Sequence, residues 1–317
     1  MLENRYRLPV LIGAFALAQA VSWGMTFNLT AITGTAMAAA LGLSYVVVMS
    51  GPTVMLVVMA LVAVPFLRLF ERFGARQVMT ASVAVGALGL ALVGLSTGAW
   101  MFFAGWIVVG AAGAGMLTTA MQIGVAEIAG ADARTVIGAL MVFGGLGTTI
   151  CWPVLGALQS AFGWRIATLL GAAMLLVVAA PIYWLLLARR PTDVTGKADK
   201  SSVSPLDWTA FGLLAFSAAA NGVVTWGFSL TIITLLQSRG LEHDRAILIA
   251  SFIGVAALLA RLFDFAVGKR WTSLATGLMA GAGLPLSFAV LIFGTGEPAA
   301  ITFSAIYGFT SGILAVA

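Results

Sequence analysis

The chain has 317 residues, 61% of them hydrophobic and only 9% charged, with 16 Lys and Arg against 11 Asp and Glu, one Cys and one His. A mean hydropathy of +1.08 is more than a soluble domain can bury and places the chain in the membrane class. The pI near 9.9 does not signal nucleic acid, because no basic stripe with interleaved aromatics exists.

A bilayer core about 30 Å thick takes about 20 apolar residues per helix. On that template ten spans are predicted in chain order: Pro9–Ala31, Tyr45–Leu67, Val78–Leu95, Ala99–Ile123, Val136–Ala161, Trp164–Leu187, Trp208–Leu236, Ala246–Val267, Leu274–Phe293 and Pro298–Ala317. The first run is too long for a signal-peptide core and lacks a small-residue cleavage site, so it reads as a retained span. Thirteen of the 16 Lys and Arg fall on one set of loops, leaving Arg165, Arg239 and Arg245 on the other. The bias predicts a cytoplasmic N-terminus in a cell (inner) membrane. Ala188 to Trp208 is polar and reads as a linker. The expected organisation is a six-helix bundle over residues 1–188, a cytoplasmic linker over 189–207 and a four-helix bundle over 208–317. Cys151, mid-span, reads as a small apolar core residue, and His243 as a solvated loop residue. Neither builds a metal site, and no cofactor motif is present.

The two halves echo each other. "AVSWGMTF" around Trp23 returns as "VVTWGFSL" around Trp226, "LGLS" at Gly42 as "RGLE" at Gly240, and "RLFERFGAR" from Arg68 as "RLFDFAVGKR" from Arg261. Gly98 and Gly110 match Gly296 and Gly308. Five matches in chain order, with offsets confined to 193–203, predict a tandem duplication of a six-span unit with parallel halves. The second copy stops where the first is inside span four. The natural protein is therefore expected to continue for about 70 residues through two more helices, and the 317-residue form to be inactive.

The charge clusters are the turns between the second and third spans of each half. Positive charge there orients the chain, but Glu71 and Asp264, three residues after Arg68 and Arg261, add little to orientation. At that spacing acid and base share a helix face, which predicts a latch in which Glu71 pairs with Arg68, Arg72 or Arg134. "LRLFERFGARQ" resembles the loop motif of the major facilitator superfamily, G-x-L-x-D-R-x-G-R-R: Leu69, Arg72, Gly74 and Arg76 match, and Glu71 holds the Asp position. Leu67 replaces the first Gly. "WIVVGAAGAG" is similar to the family's R-x-x-x-G-x-G-x-G, with Gly110, Gly113 and Gly115 but Trp106 in place of Arg. "GGLGTTICWPVLGA" resembles an exporter-associated motif at Pro153 and Gly156, positions that equally read as a helix kink and a packing contact. The resemblance implies a prokaryotic transporter, C-terminally truncated, of all-α polytopic fold with ten of twelve helices present, and a cytoplasmic gate around Arg68, Glu71, Arg72, Gly74, Arg76, Arg261 and Asp264.

Polar residues inside apolar spans are costly unless buried in protein or wet. Gln19, Trp23 and Thr26 line one face of span one, Asn221, Thr225 and Trp226 lie on span seven, and Gln122 is one turn from Thr118 on span four. These are the substrate-cavity candidates, with Trp23 and Trp226 expected to face each other. Single hydroxyls also read as bonds back to their own helix. No span carries an acid or base near its middle, so the cavity is expected to be neutral. The expected function is secondary transport of a small neutral or amphipathic molecule by alternating access, with export ranked ahead of uptake. Its partners are that substrate, the lipid bilayer and an optional coupling proton. An organic-acid (monocarboxylate-like) uptake carrier and a non-transporting receptor on the same fold stand as alternatives. An enzyme is excluded for want of a catalytic constellation.

Overall fold

The computed structural model describes residues 2–143, 146–187, 208–267 and 273–314. It describes the backbone alone at 2–8, 131, 134, 135, 142, 143, 146–148, 210, 211, 213–215, 217–226, 264–267, 273–277, 280, 281 and 314. The 189–207 linker therefore lies outside the described residues. Among those described, all regular structure is helical, and each predicted span falls on helix.

Span one is longer than predicted and broken. It runs Leu2–Met25, turns, and resumes as Leu29–Leu41. Gly42, at φ 64°, then ends it in a left-handed cap whose N–H reaches the carbonyl of Ala38, the conformation glycine adopts most readily. Spans two and three form one run, Gly51–Gly94, interrupted at Gly74 (φ 76°, ψ 162°). Spans five and six meet in the same way at Gly163 (φ 79°, ψ 164°). Both glycines occupy a backbone region essentially closed to other residues, and a Cβ at Gly163 would meet nothing within 4 Å. Backbone conformation rather than crowding requires glycine there. Span four divides into Ala99–Met116 and Thr118–Ala129 at an extended Leu117 (φ −91°, ψ −159°). Span six contains a π-turn, Leu175–Ala179, ahead of Pro181. The widened turn makes room for a ring that would otherwise press on the carbonyl four residues back.

Small residues hold the bundle together, as expected where lipid is as apolar as leucine and close backbone approach does the binding. A Cβ on Gly110 would stand 2.6 Å from the carbonyl oxygen of Met55, and one on Gly308 would stand 2.5 Å from that of Ile253. Ile253 and Gly308 each follow their first-half counterparts by 198 positions. Gly240 (φ 91°) likewise repeats the left-handed turn of Gly42. The duplication read from weak sequence echoes is thus present as repeated contacts and repeated turns. Gly115 is as tightly placed, since a methyl there would overlap Ser82 and Phe66. Gly113 lies against Leu117 and Met59. Among the described residues, five stretches are long and apolar enough to cross a bilayer by length and composition: Pro9–Leu41, Tyr45–Gly94, Ala99–Ala129, Thr149–Leu186 and His243–Phe263. Two of these contain the glycine hairpins.

The halves touch chiefly through spans five and eight. Thr149 donates to the carbonyl of Ser251 at 3.1 Å, and a Cβ on Gly156 would be 2.9 Å from Ile247. Arg261 donates to the carbonyl of Met141. At the end farthest from the 2–3 turn, the Tyr45 and Thr234 hydroxyls lie 2.9 Å apart and join span two to span seven. There Leu29 to Gly34 of span one are all buried. Toward the 2–3 turn, one face of span one stays uncovered, with Val10 66% and Leu17 50% exposed.

Candidate functional site

Span one meets span four at the break in span four. Ending a helix at Met116 leaves its carbonyl without the usual donor four residues on, and a bare carbonyl in a low-dielectric interior is costly. Gln19 supplies the donor from span one: its Nε2 lies 3.0 Å from the Met116 oxygen and 3.0 Å from the Tyr183 hydroxyl. The Tyr183 hydroxyl donates to the same carbonyl at 3.4 Å. One turn along span one, Trp23 Nε1 donates to Thr118 Oγ1 at 3.0 Å, on the far side of the break. Gln19 and Trp23 thus bracket Leu117 from the two sides. Gln122, the next polar residue along span four, is half-buried and makes no hydrogen bond among the described residues.

Tyr183, the residue the sequence reading missed, is fully buried and rests against Phe15, ring centroids 5.8 Å apart. In "PIYW", Tyr183 and Trp184 read as the interfacial aromatics that close a span. The signal that marked it was Pro181, which imposes the π-turn. The one extra residue rotates the remainder of the helix by roughly 100°.

Thr26 is fully buried and its hydroxyl donates at 2.5 Å to the carbonyl of Ser22, four residues back, the local bond that Ser and Thr make in apolar helices. The break comes at once: the Asn28 N–H reaches the carbonyl of Trp23 at 3.2 Å, five residues back, and that of Leu29 reaches Thr26 at 3.2 Å. Asn221, Thr225 and Trp226 fall in the helix Trp208–Ser238, but their side chains lie outside the described residues. So does the side chain of Asp264.

The gate motif is arranged differently from the expectation. Glu71 is exposed and forms no ion pair with Arg68 or Arg72. The side chain of Arg134, the third expected partner, lies outside the described residues. At the same turn Glu127, at the end of span four, accepts from the Ala75 N–H with both carboxylate oxygens at 3.1 Å. The physical reason is the Gly74 break, which turns Ala75 into the first residue of span three. A helix N-terminus presents free N–H groups that favour an acid. Arg76 stacks over Trp184 of span six, 4.0 Å from the ring centroid, and Arg72 over Phe73 at 5.1 Å. Arg261 is half-buried and used between the halves, on the Met141 carbonyl. Leu67, at the family's glycine position, is 48% exposed. Trp106, at the usual arginine position, is fully buried against Gly51 and edge-on to Phe102 at 6.1 Å. Pro153 sits inside the helix Leu146–Met174.

The three positive charges off the main set have structural uses or exposed positions. Arg165 donates to the carbonyls of Gly94 and Ser96 at 3.0 and 2.6 Å, completing the end of span three. Arg245 pairs with Glu297 at the surface, and Arg239 is exposed.

Parallel helical halves, with spans broken at mid-length around amide, indole and hydroxyl groups, define a multi-pass membrane protein of the secondary-transporter class. The chain belongs to the major facilitator superfamily, whose family model matches residues 15–317. No curated protein matches it. A mutant of the nucleoside transporter NupG is similar in structure, with a TM-score of 0.69 at 18% identity over 96% of this chain and 80% of that one. NupG itself gives 0.61 at 16% identity, over 96% and 80%. A bacterial homologue of the human lysosomal transporter Spinster, inward-facing and occupied, gives 0.67 at 16% identity over 97% of this chain and 73% of that one. These likenesses establish the fold.

Proposed function

We propose that the protein is a secondary transporter that moves a small, uncharged or amphipathic molecule by alternating access, with export ranked ahead of uptake. One observation carries the reading. Where span one meets the break in span four, the described side chains are neutral donors and acceptors: Gln19, Trp23, Thr118, Tyr183 and the uncommitted amide of Gln122. Helices interrupted at mid-depth are where transporters of several folds hold their solute. Neutral groups there suit hydroxyl, amide and ring-nitrogen partners. An organic acid would call for a buried cation, and none is among the described side chains of this cluster. The solute class named for NupG, nucleosides, is therefore a reasonable first probe. We read the protein as a carrier because it belongs to a superfamily of transporters.

The assignment extends to topology. The end bearing the 2–3 turn is read as cytoplasmic, in a cell (inner) membrane, because the sequence assigns 13 of the 16 basic residues to the set of loops that includes that turn. On that reading the uncovered face at Val10 and Leu17 opens to the cytoplasm. The gate assignment is carried by Glu127 and the Gly74 turn, with Arg68, Arg72 and Arg76 around it. A coupling proton is compatible with a carboxylate at that turn.

The test is solute counterflow in proteoliposomes of the full-length natural protein, with labelled uridine and then with a panel of uncharged solutes. We expect flux that Gln122→Ala reduces at least fivefold through KM. Flux confined to organic anions would overturn the neutral-site reading, and no flux of any solute would favour the receptor.

A further inference from the structure

A groove of about 380 Å³ runs between spans two, three and four at the end bearing the 2–3 turn. Its walls are apolar: Phe66, Leu69 and Phe73 from span two, Ala81 and Val85 from span three, and Ala111 from span four. Leu69, Phe73, Ala81 and Val85 are exposed. The groove therefore opens to the surroundings of the bundle rather than to the cluster at Met116. Its size sits at the low end of the range of about 300–1,000 Å³ typical of ligand clefts. That admits a chain-like apolar ligand.

Its mouth is polar and cationic. The Arg72 guanidinium lies 5.1 Å from the centroid of the Phe73 ring, and Phe73 is itself a wall of the groove. Gln77, in the first turn of span three, lines the groove and is exposed. Glu71 does not cancel this charge at the mouth. Two residues from Phe73, it projects about 160° away around the helix. An apolar slot at membrane depth, capped at the boundary by arginine and amide donors, matches one kind of partner: a long hydrocarbon chain ending in an anionic, hydrogen-bond-accepting head.

We propose that this groove binds an acyl chain of an anionic phospholipid, with the phosphate held by Arg72 and Gln77. Arginine suits that task because its planar fork matches phosphate oxygens. Basic residues at a membrane boundary also draw anionic lipid from the surrounding leaflet. The site is separate from the solute cluster and does not depend on what the protein carries.

Native mass spectrometry tests it. The full chain is reconstituted into bilayers of equal parts dioleoyl phosphatidylglycerol, phosphatidylethanolamine and phosphatidylcholine, extracted into mild detergent and assayed for retained lipid. The wild type is expected to keep phosphatidylglycerol in preference to the zwitterionic lipids. Ala81→Trp, which fills the groove, should lower that retention at least fivefold. Ala84→Trp, exposed on span three but outside the groove, should leave it intact. Arg72→Gln should cut the preference for phosphatidylglycerol over phosphatidylcholine about fivefold, and this exposed substitution leaves the packing untouched. Equal retention of all three lipids would overturn the proposal. So would unchanged retention in both Ala81→Trp and Arg72→Gln, or retention of a second protein copy in place of lipid.

Discussion

The side-chain amide of Gln19 on span one closes on the backbone carbonyl of Met116 on span four, 3.0 Å away, at the point where span four ceases to be a helix. A side chain thereby supplies the bond that helix geometry withholds. Tyr183 brings span six to the same carbonyl. Gln19→Ala should leave Met116 with the tyrosine alone and destabilise the protein by about 0.5–1.5 kcal/mol. The double variant Gln19→Ala, Tyr183→Phe should cost more than the two single changes together, because only it strands the carbonyl. Thermal unfolding in detergent reads both. Strict additivity would mean that the two donors are not alternatives.

Glu127→Ala should destabilise the protein by about 1.5–3 kcal/mol, the scale of a hydrogen bond to a charged group, and loosen the 2–3 turn to protease. Glu71→Gln should change stability by less than about 0.5 kcal/mol, as surface substitutions do. Equal losses from the two would return the latch to Glu71.

Gly110→Ala and Gly308→Ala place a methyl against the backbone at corresponding points of the two halves, 2.6 and 2.5 Å from a carbonyl oxygen. Each should destabilise by about 1–3 kcal/mol, the usual cost of overpacking. The two losses should be of similar size. The readout is the midpoint of heat-induced aggregation, followed by size exclusion.

Tyr45→Phe removes the 2.9 Å link between spans two and seven at the closed end. On the alternating-access mechanism proposed above, the change should shift the balance between the two access states by a factor of about two to ten. A cysteine in place of Leu17, on the uncovered face of span one, reports it: its labelling by a thiol reagent should slow by that factor. Cys151 is 3% exposed and does not compete.

The spans were legible because ten apolar runs of membrane length leave few other arrangements, and the duplication because glycines such as Gly42 and Gly110 recur where backbones must turn or touch. The breaks were not. Span one was expected to end near Ala31 because about 20 residues suffice to cross a bilayer, yet "TGTAMAAAL" is rich in alanine, the best helix former, and the helix runs to Leu41. The break at Leu117 carries no proline and sits among glycines that read as packing residues, which several of them are. Gln19 and Trp23 were found because an amide and an indole N–H inside an apolar run need partners. Their actual partners, Met116 and Thr118, depend on how spans one and four cross. The same holds for Glu127, 52 residues from the amide it accepts. Local spacing favoured Glu71.

Gly74 and Gly163 reverse the chain within a single residue, with nearly the same torsions, φ 76°, ψ 162° and φ 79°, ψ 164°. A joint that short has no slack. Spans two and three cannot slide along one another, nor can spans five and six, so each pair moves as a stiff two-armed lever whose ends are tied. Axial displacement within the first half then falls to spans one and four, whose interruptions at Thr26–Asn28 and Leu117 can lengthen or shorten without breaking a continuous helix. The levers carry the load and the interrupted helices act as its springs.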